Sequence, residues 1–239
     1  YIAVPWLLFL FAAYALPRGI FGFYRMEKYD EAIRSQVASF SFWITLSTLL
    51  GLLVSRIDHV MVSHMLGVAH VAVFTVAWQF IQFFPLVYNA ITSVLMPKFS
   101  AVPDSSALRA ILWRTLRFVG VGTLVALLYI YPSQYLIVFL FGEQYASAMP
   151  VYMVLAVGYA LNILIVPFSL VISVFRETKL FVVTGFVQLI VTIFGNIIFI
   201  PRLGMMGVAY TFLCAMMVQV CVMVGIALYL LKKKNLVVV

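Results

Sequence analysis

The feature that most constrains this chain is a succession of long apolar runs, each close to the length that crosses a lipid bilayer. A spanning helix needs about 20 mostly apolar residues. Runs of that kind cover Val37–Leu66, Val71–Met96, Ile111–Tyr131, Pro150–Phe175, Leu180–Ile200 and Met205–Leu231, with a shorter one at Tyr1–Leu16. Strands of a membrane barrel would alternate in polarity over roughly 10 residues, whereas Leu180–Ile200 is apolar on every side. In hydrocarbon each backbone polar group has to be paired inside the protein, so these runs are expected to be helices. The fold class that follows is all-α, a polytopic membrane bundle of about seven transmembrane helices.

Composition supports the same conclusion. The chain is 66% hydrophobic and 9% charged, against roughly 45–50% and about 25% in soluble domains. Too little polar sequence exists to wrap a core in a polar shell, so lipid must serve as solvent. The net charge of +8 does not point to nucleic acid, because the basic residues are spread over short connections instead of clustering on one face with aromatics.

That spread is informative about orientation. Alternate connections hold Arg18, Arg25, Lys28 and Arg34, then Lys98, Arg109, Arg114 and Arg117, then Arg176 and Lys179, and finally Lys232, Lys233 and Lys234, which together are 13 of the 15 basic residues. The intervening connections, around Gly67–His70, Gly142–Ala148 and Pro201–Gly204, hold only Arg202. Cytoplasmic loops carry the excess of Lys and Arg. The expected topology is therefore multi-pass, with the C-terminus cytoplasmic. The outer loops are expected to be only a few residues long, which leaves no room for an external catalytic domain.

Prolines and glycines punctuate the runs. Pro17-Arg18-Gly19 is expected to end the first span, Pro97 the third, and Pro201-Arg202-Leu203-Gly204 to separate the last two. Pro85 and Pro167 fall inside spans, where a missing N–H and a ring clash kink a helix. Neither a basic leader nor a cleavage site precedes Tyr1–Pro5, so the chain is expected to begin partway through a helix of a longer protein. Residues 17–36 read as a charged cytoplasmic linker with a short amphipathic helix, and residues 232–239 as a cytoplasmic tail.

Polar groups inside the spans are the candidate functional residues. Arg56, Asp58, His59 and His64 interrupt one run, where a central charge costs about 2.5–3.5 kcal/mol on insertion scales. Three readings stand. The helix crosses by Ser55 and the cluster lies at the outer headgroups, which the roughly 33 Å from Arg34 to Arg56 permits. Or Arg56 and Asp58, whose side chains diverge by about 200°, each pair with another helix. Or Arg56 faces a water-filled cavity and binds an anion. Gln79, Gln82, Asn89, Asn162, Gln188 and Asn196 are expected to be interhelical hydrogen-bonding groups, with Gln82 and Asn89 on one face that could line a cavity. His59 and His64 are five apart, off the spacing that zinc helices use, so no metal site is expected. Cys214 and Cys221 sit in one apolar run and are expected to be small buried hydrophobes. No nucleophile–base set, P-loop or paired-cysteine motif occurs, and no enzyme activity or cofactor is expected beyond a coupling ion of unknown identity.

Several stretches carry a resemblance. Leu49–Gly67 (LLGLLVSRIDHVMVSHMLG), Val73–Trp78 and Asn89–Pro97 (NAITSVLMP) resemble the start of a six-helix bundle in the polysaccharide or O-antigen (Wzx-type) flippases. Phe141-Gly142-Glu143-Gln144-Tyr145 resembles that family's short outer turn. Pro201–Ala209 (PRLGMMGVA) is similar to its approach to the last helix. The likeness covers Val37–Leu231. It places the chain in the multidrug/oligosaccharidyl-lipid/polysaccharide exporter superfamily. By that resemblance residues 1–16 are the last helix of a preceding bundle, residues 37–231 the second six-helix bundle, and the activity is movement of undecaprenyl-pyrophosphate-linked oligosaccharide to the outer leaflet by alternating access. Arg56 would hold the pyrophosphate, with His59 assisting. Asp58 would orient Arg56 or couple an ion, and Gln82 and Asn89 would complete the substrate site. The implied partners are the lipid-linked substrate, membrane lipid and glycan-assembly proteins, with no nucleic acid. A multidrug or metabolite exporter of the same superfamily is the alternative. From another class, a membrane-embedded glycan polymerase or acyltransferase would need reactive groups on a larger outer loop.

Overall fold

The computed structural model describes residues 31–102 and 105–233. The expected span at residues 1–16, most of the linker and the tail beyond residue 233 lie outside the described residues. The chain divides into two compact units at Phe42/Trp43. Of the first, the described part is helical and opens α1, and the packing below is that of the second.

Nine helices occur among the described residues: α1 (Glu31–Leu66), α2 (Val68–Ile81), α3 (Phe83–Ser100), α4 (Ser105–Ser133), α5 (Tyr135–Phe141), α6 (Ala148–Ile163), α7 (Val166–Val174), α8 (Lys179–Leu203) and α9 (Met205–Lys233), with no strand among them. By length and composition they supply six membrane-crossing segments, Ser35–Leu66, Val68–Ser100, Ser106–Ser133, Ala148–Val174, Lys179–Leu203 and Met205–Lys232. These are the six complete runs expected from sequence, so the all-α membrane bundle stands. Residues 31–36, assigned to the linker from sequence, are helical and continue directly into the first of these spans.

Two spans are broken where proline chemistry puts the break. A proline ring clashes with the carbonyl four residues earlier. Pro85 lies four residues after Ile81, the last residue of α2, and Pro167 four after Ile163, the last of α6. Pro97 behaves differently from expectation. It sits inside α3, which runs on to Ser100, because a helix near its end can absorb one lost hydrogen bond and continue for a turn. Pro201 is likewise inside α8, and the stop is made by Gly204 at φ +58, a backbone conformation glycine adopts without steric cost.

The connection between α4 and α6 is longer than the expected few residues. It holds α5 and a 3₁₀ turn at Glu143–Tyr145. The α5 segment YLIVFLF is apolar but far too short to span, and only Ile137 of it is buried. Phe141 packs edge-on against both Phe80 and Tyr145, with ring centroids 6.0 and 5.9 Å apart. The aromatic ends of the FG-x-x-Y turn thus fasten this connection to the α2 end.

The core centres on α6 and α7. In the span Ala148–Val174, 72% of the most apolar stretch is buried, against 22% in α8 and 28% in α9. One apolar cluster joins α2, α6 and the first half of α9 through Phe74, Ile81, Leu155 and Phe212, and a second joins α4, α7 and the end of α9 through Leu108, Leu112, Ile172 and Met223. Cys214 and Cys221 are exposed on α9. This corrects the expectation of buried thiols: seven residues apart, they share the face that α9 turns away from its neighbours.

The α8–α9 corner shows why the PRLGMMGVA stretch reads as it does. A Cβ on Gly207 would overlap the Phe199 carbonyl and come 2.8 Å from the Ile200 nitrogen. Val208 and Ala209 behind it are fully buried. The hairpin closes only because position 207 has no side chain.

Candidate functional site

α1 separates its ionisable residues onto different faces. Arg56 is exposed, His59 is half-buried and Asp58 is 1% exposed. The two-residue step between Arg56 and Asp58 turns the helix by about 200°, so one cannot pair with the other directly. No ion pair engages Arg56 among the described residues.

Asp58 finds its partner on α8. Asn196 Nδ2 donates to Asp58 Oδ1 over 2.7 Å, and Asn196 is itself fully buried. The amide nitrogen also lies 3.6 Å from Met61 Sδ. Lower on the same pair of helices Leu50 packs against Gly185, where a Cβ would sit 3.3 Å from Leu50 Cβ. α1 meets α8 through this apolar contact, the buried polar bond, and Lys179 Nζ lying 5.5 Å from the centre of the Trp43 ring. Asn196 Oδ1 remains without a hydrogen-bond partner, as does the buried Thr211 Oγ1 of α9. Thr211 leans on the preceding residue of α8: a Cβ at Gly195 would stand 3.2 Å from Thr211 Oγ1. Asp58 and Asn196 thus form a buried polar seam between α1 and α8, and the buried Thr211 of α9 lies against Gly195, the residue before Asn196.

His59 faces the other way into aromatic rings. Its ring meets Phe74 and Trp78 of α2 edge-on, at centroid distances of 5.0 and 5.5 Å. Trp78 continues the cluster to Tyr159 of α6 at 5.9 Å and Phe212 of α9 at 6.1 Å, and Tyr159 stacks on Phe212 at 4.9 Å. Edge-to-face and offset arrangements of this kind add about 0.5–1.5 kcal/mol each beyond area burial. The cluster packs α1, α2, α6 and α9 together beside the polar seam.

Of the other residues named from sequence, Gln82 lies exposed in the break between α2 and α3, and Asn89 is exposed on α3. Neither hydrogen-bonds to Arg56, Asp58 or His59. Asn162 does act between helices, donating to Met216 Sδ over 3.4 Å. Sequence reasoning missed Thr211, Trp78, Tyr159 and Phe212 as neighbours of the seam. It contained one signal that could have found the central bond: Asp58 is the one acid inside the first span, and Asn196, with Gln188, is one of two amides interrupting the apolar α8.

No group of three or more His, Cys, Asp or Glu side chains that could hold a metal ion occurs among the described residues.

A family profile described as polysaccharide biosynthesis protein matches residues 24–150, more than half of the chain and the whole segment from Arg56 to Asn89. The chain belongs to the polysaccharide biosynthesis protein family. The resemblance read from its sequence is thereby borne out, and with six membrane-crossing segments it is a multi-pass membrane protein of that family. Neither the curated proteins nor the solved structures give a significant match to the chain.

Proposed function

We propose that this polysaccharide biosynthesis protein supplies the second bundle of a flippase that carries undecaprenyl-pyrophosphate-linked oligosaccharide to the outer leaflet by alternating access. The bundle lies in the inner membrane with its C-terminus cytoplasmic, works beside glycan-assembly proteins, and performs no covalent chemistry. The observation that carries the reading is the division of labour on α1, where Arg56 is exposed and Asp58, two residues on, is buried against Asn196.

An arginine suits a pyrophosphate because its planar fork matches phosphate oxygens and stays charged when desolvated. Exposed Gln82 and Asn89 supply neutral hydrogen-bonding groups for sugar hydroxyls, and His59 sits one helical turn from Arg56 as a secondary contact. Asp58 serves a different purpose. One amide donor does not offset the cost of burying an ionised carboxylate, so in this reading Asp58 takes up a proton or a small coupling cation. A ligand shifts a conformational equilibrium only by its differential affinity for the two states. Because the seam joins α1 to α8, its occupancy can favour one arrangement of those helices over the other.

The test is Arg56→Ala in the full-length protein, reconstituted in proteoliposomes with a lipid-linked oligosaccharide. Loss of charged hydrogen bonds worth about 1.5–3 kcal/mol predicts flux reduced roughly 10- to 100-fold, with yield and thermal unfolding unchanged because Arg56 is exposed. Arg56→Lys, which keeps charge but loses the fork, should fall between. Unchanged flux in Arg56→Ala would remove the residue from the site. Uptake of cationic drugs with no oligosaccharide flipping would favour an exporter instead.

A further inference from the structure

A second site lies at the end of the bundle that carries the basic connections. A cavity of about 380 Å³ opens between the start of α4 and the end of α9, lined by Arg109, Leu112, Trp113, Leu228, Leu231 and Lys232. None of these residues contributes to the seam or to the α1 cluster.

Its two cations are held differently. Arg109 donates through Nη2 to the Leu231 carbonyl over 2.7 Å. That carbonyl lies near the end of the described part of α9. The bond fixes the guanidinium between the two helices, and with five N–H donors on the fork it leaves others for a ligand. Lys232 is exposed on the opposite wall. The apolar lining is graded: Leu112 and Leu231 are buried as a floor, while Trp113 and Leu228 are 57% and 49% exposed along the side. Trp at such a position matches the interfacial belt, where an amphipathic ring sits at headgroup level.

We propose that this cavity binds an anionic phospholipid, with Arg109 and Lys232 on the headgroup phosphate and Trp113 and Leu228 along the upper acyl chain. Charge complementarity with an apolar flank selects this occupant over a free anion, which would gain nothing from Trp113 and Leu228. Basic pockets between transmembrane helices on the cytoplasmic side bind acidic headgroups on the same principle, and each basic residue near the surface contributes about 1 kcal/mol. The ligand joins α4 to α9 at the point where the Arg109–Leu231 bond already does, so it acts as an additional tie at that end of the bundle. The inference is independent of what the protein transports.

The experiment is native mass spectrometry of the full-length protein released from nanodiscs of phosphatidylcholine alone or mixed with phosphatidylglycerol. The wild type should retain phosphatidylglycerol in preference. Lys232→Gln, which leaves the Arg109–Leu231 bond in place, should weaken that preference about fivefold, and the pair Arg109→Gln/Lys232→Gln about thirtyfold. Trp113→Ala should weaken retention of both lipids without altering the preference. The control is Arg114→Gln/Arg117→Gln, which removes the same charge from exposed positions on α4 and should retain the wild-type preference. A wild type without preference, a control that loses as much as the Arg109/Lys232 pair, or displacement of the lipid by inorganic phosphate alone would each overturn the proposal.

Discussion

At the residue scale the main energetic commitment of this fold is Asp58, a carboxylate taken almost wholly out of solvent with one amide as its hydrogen-bond donor. Removing the donor should therefore cost more than removing both partners, since a buried acceptor left unpaired costs about 1–3 kcal/mol. The expected outcome for Asn196→Leu is a loss of about 2 kcal/mol in unfolding by denaturing detergent. Asp58→Leu/Asn196→Leu should be closer to wild type than Asn196→Leu alone. A double-mutant cycle with no coupling between the two sites would show that the bond is incidental to stability. Arg56 and Asp58 were legible in the sequence as costly groups in an apolar run, and their divergence by two residues foretold that they could not pair. The identity of Asp58's partner was not legible, because helices 138 residues apart in sequence carry no local signal of which faces meet. The same limit hid Thr211: a threonine in a helix is unremarkable until Gly195 is found against it.

At the scale of elements, α8 and α9 form a hairpin whose closure depends on the absence of an atom. Gly207→Ala places a Cβ into the Phe199 carbonyl, which belongs to the backbone and cannot rotate aside. Overpacking of this kind costs about 1–3 kcal/mol, and the expected outcome is a lowered thermal unfolding midpoint. Gly225→Ala in the same helix, where nothing lies within 4 Å, should be neutral or slightly stabilising, since alanine favours helix over glycine by about 1 kcal/mol. Equal effects at both positions would remove the close approach as the cause. Spans were the most legible elements, because length and apolarity alone decide them. Proline positions foretold the breaks before Pro85 and Pro167 but overstated the stop at Pro97, which a helix near its end absorbs. The short α5 escaped because seven apolar residues fit neither a span nor an ordinary loop.

At the scale of the whole molecule, the six spans alternate in direction, so the connections bearing Lys98, Arg176 and Lys232 fall at one end and Arg202 at the other. The exposed Cys214 and Cys221 can be replaced by alanine with little loss of packing, which gives a background for labelling. Single cysteines introduced by Lys98→Cys and Arg202→Cys should then react oppositely with a membrane-impermeant maleimide on intact spheroplasts. Arg202→Cys should label at once, and Lys98→Cys only after permeabilisation; the reverse pattern would invert the orientation. The internal arrangement carries a further consequence. The span Ala148–Val174 is sheathed by its neighbours, yet its mean hydropathy of 2.2 lies between those of α8 and α9, at 2.1 and 2.3, which are mostly uncovered. Final burial alone does not require that. Transmembrane helices enter the bilayer before they associate, and this span emerges ahead of both α8 and α9. Its side chains are thus suited to two successive solvents, lipid during synthesis and protein afterwards. The most protected span of the bundle is, during its biogenesis, among the most dependent on the membrane.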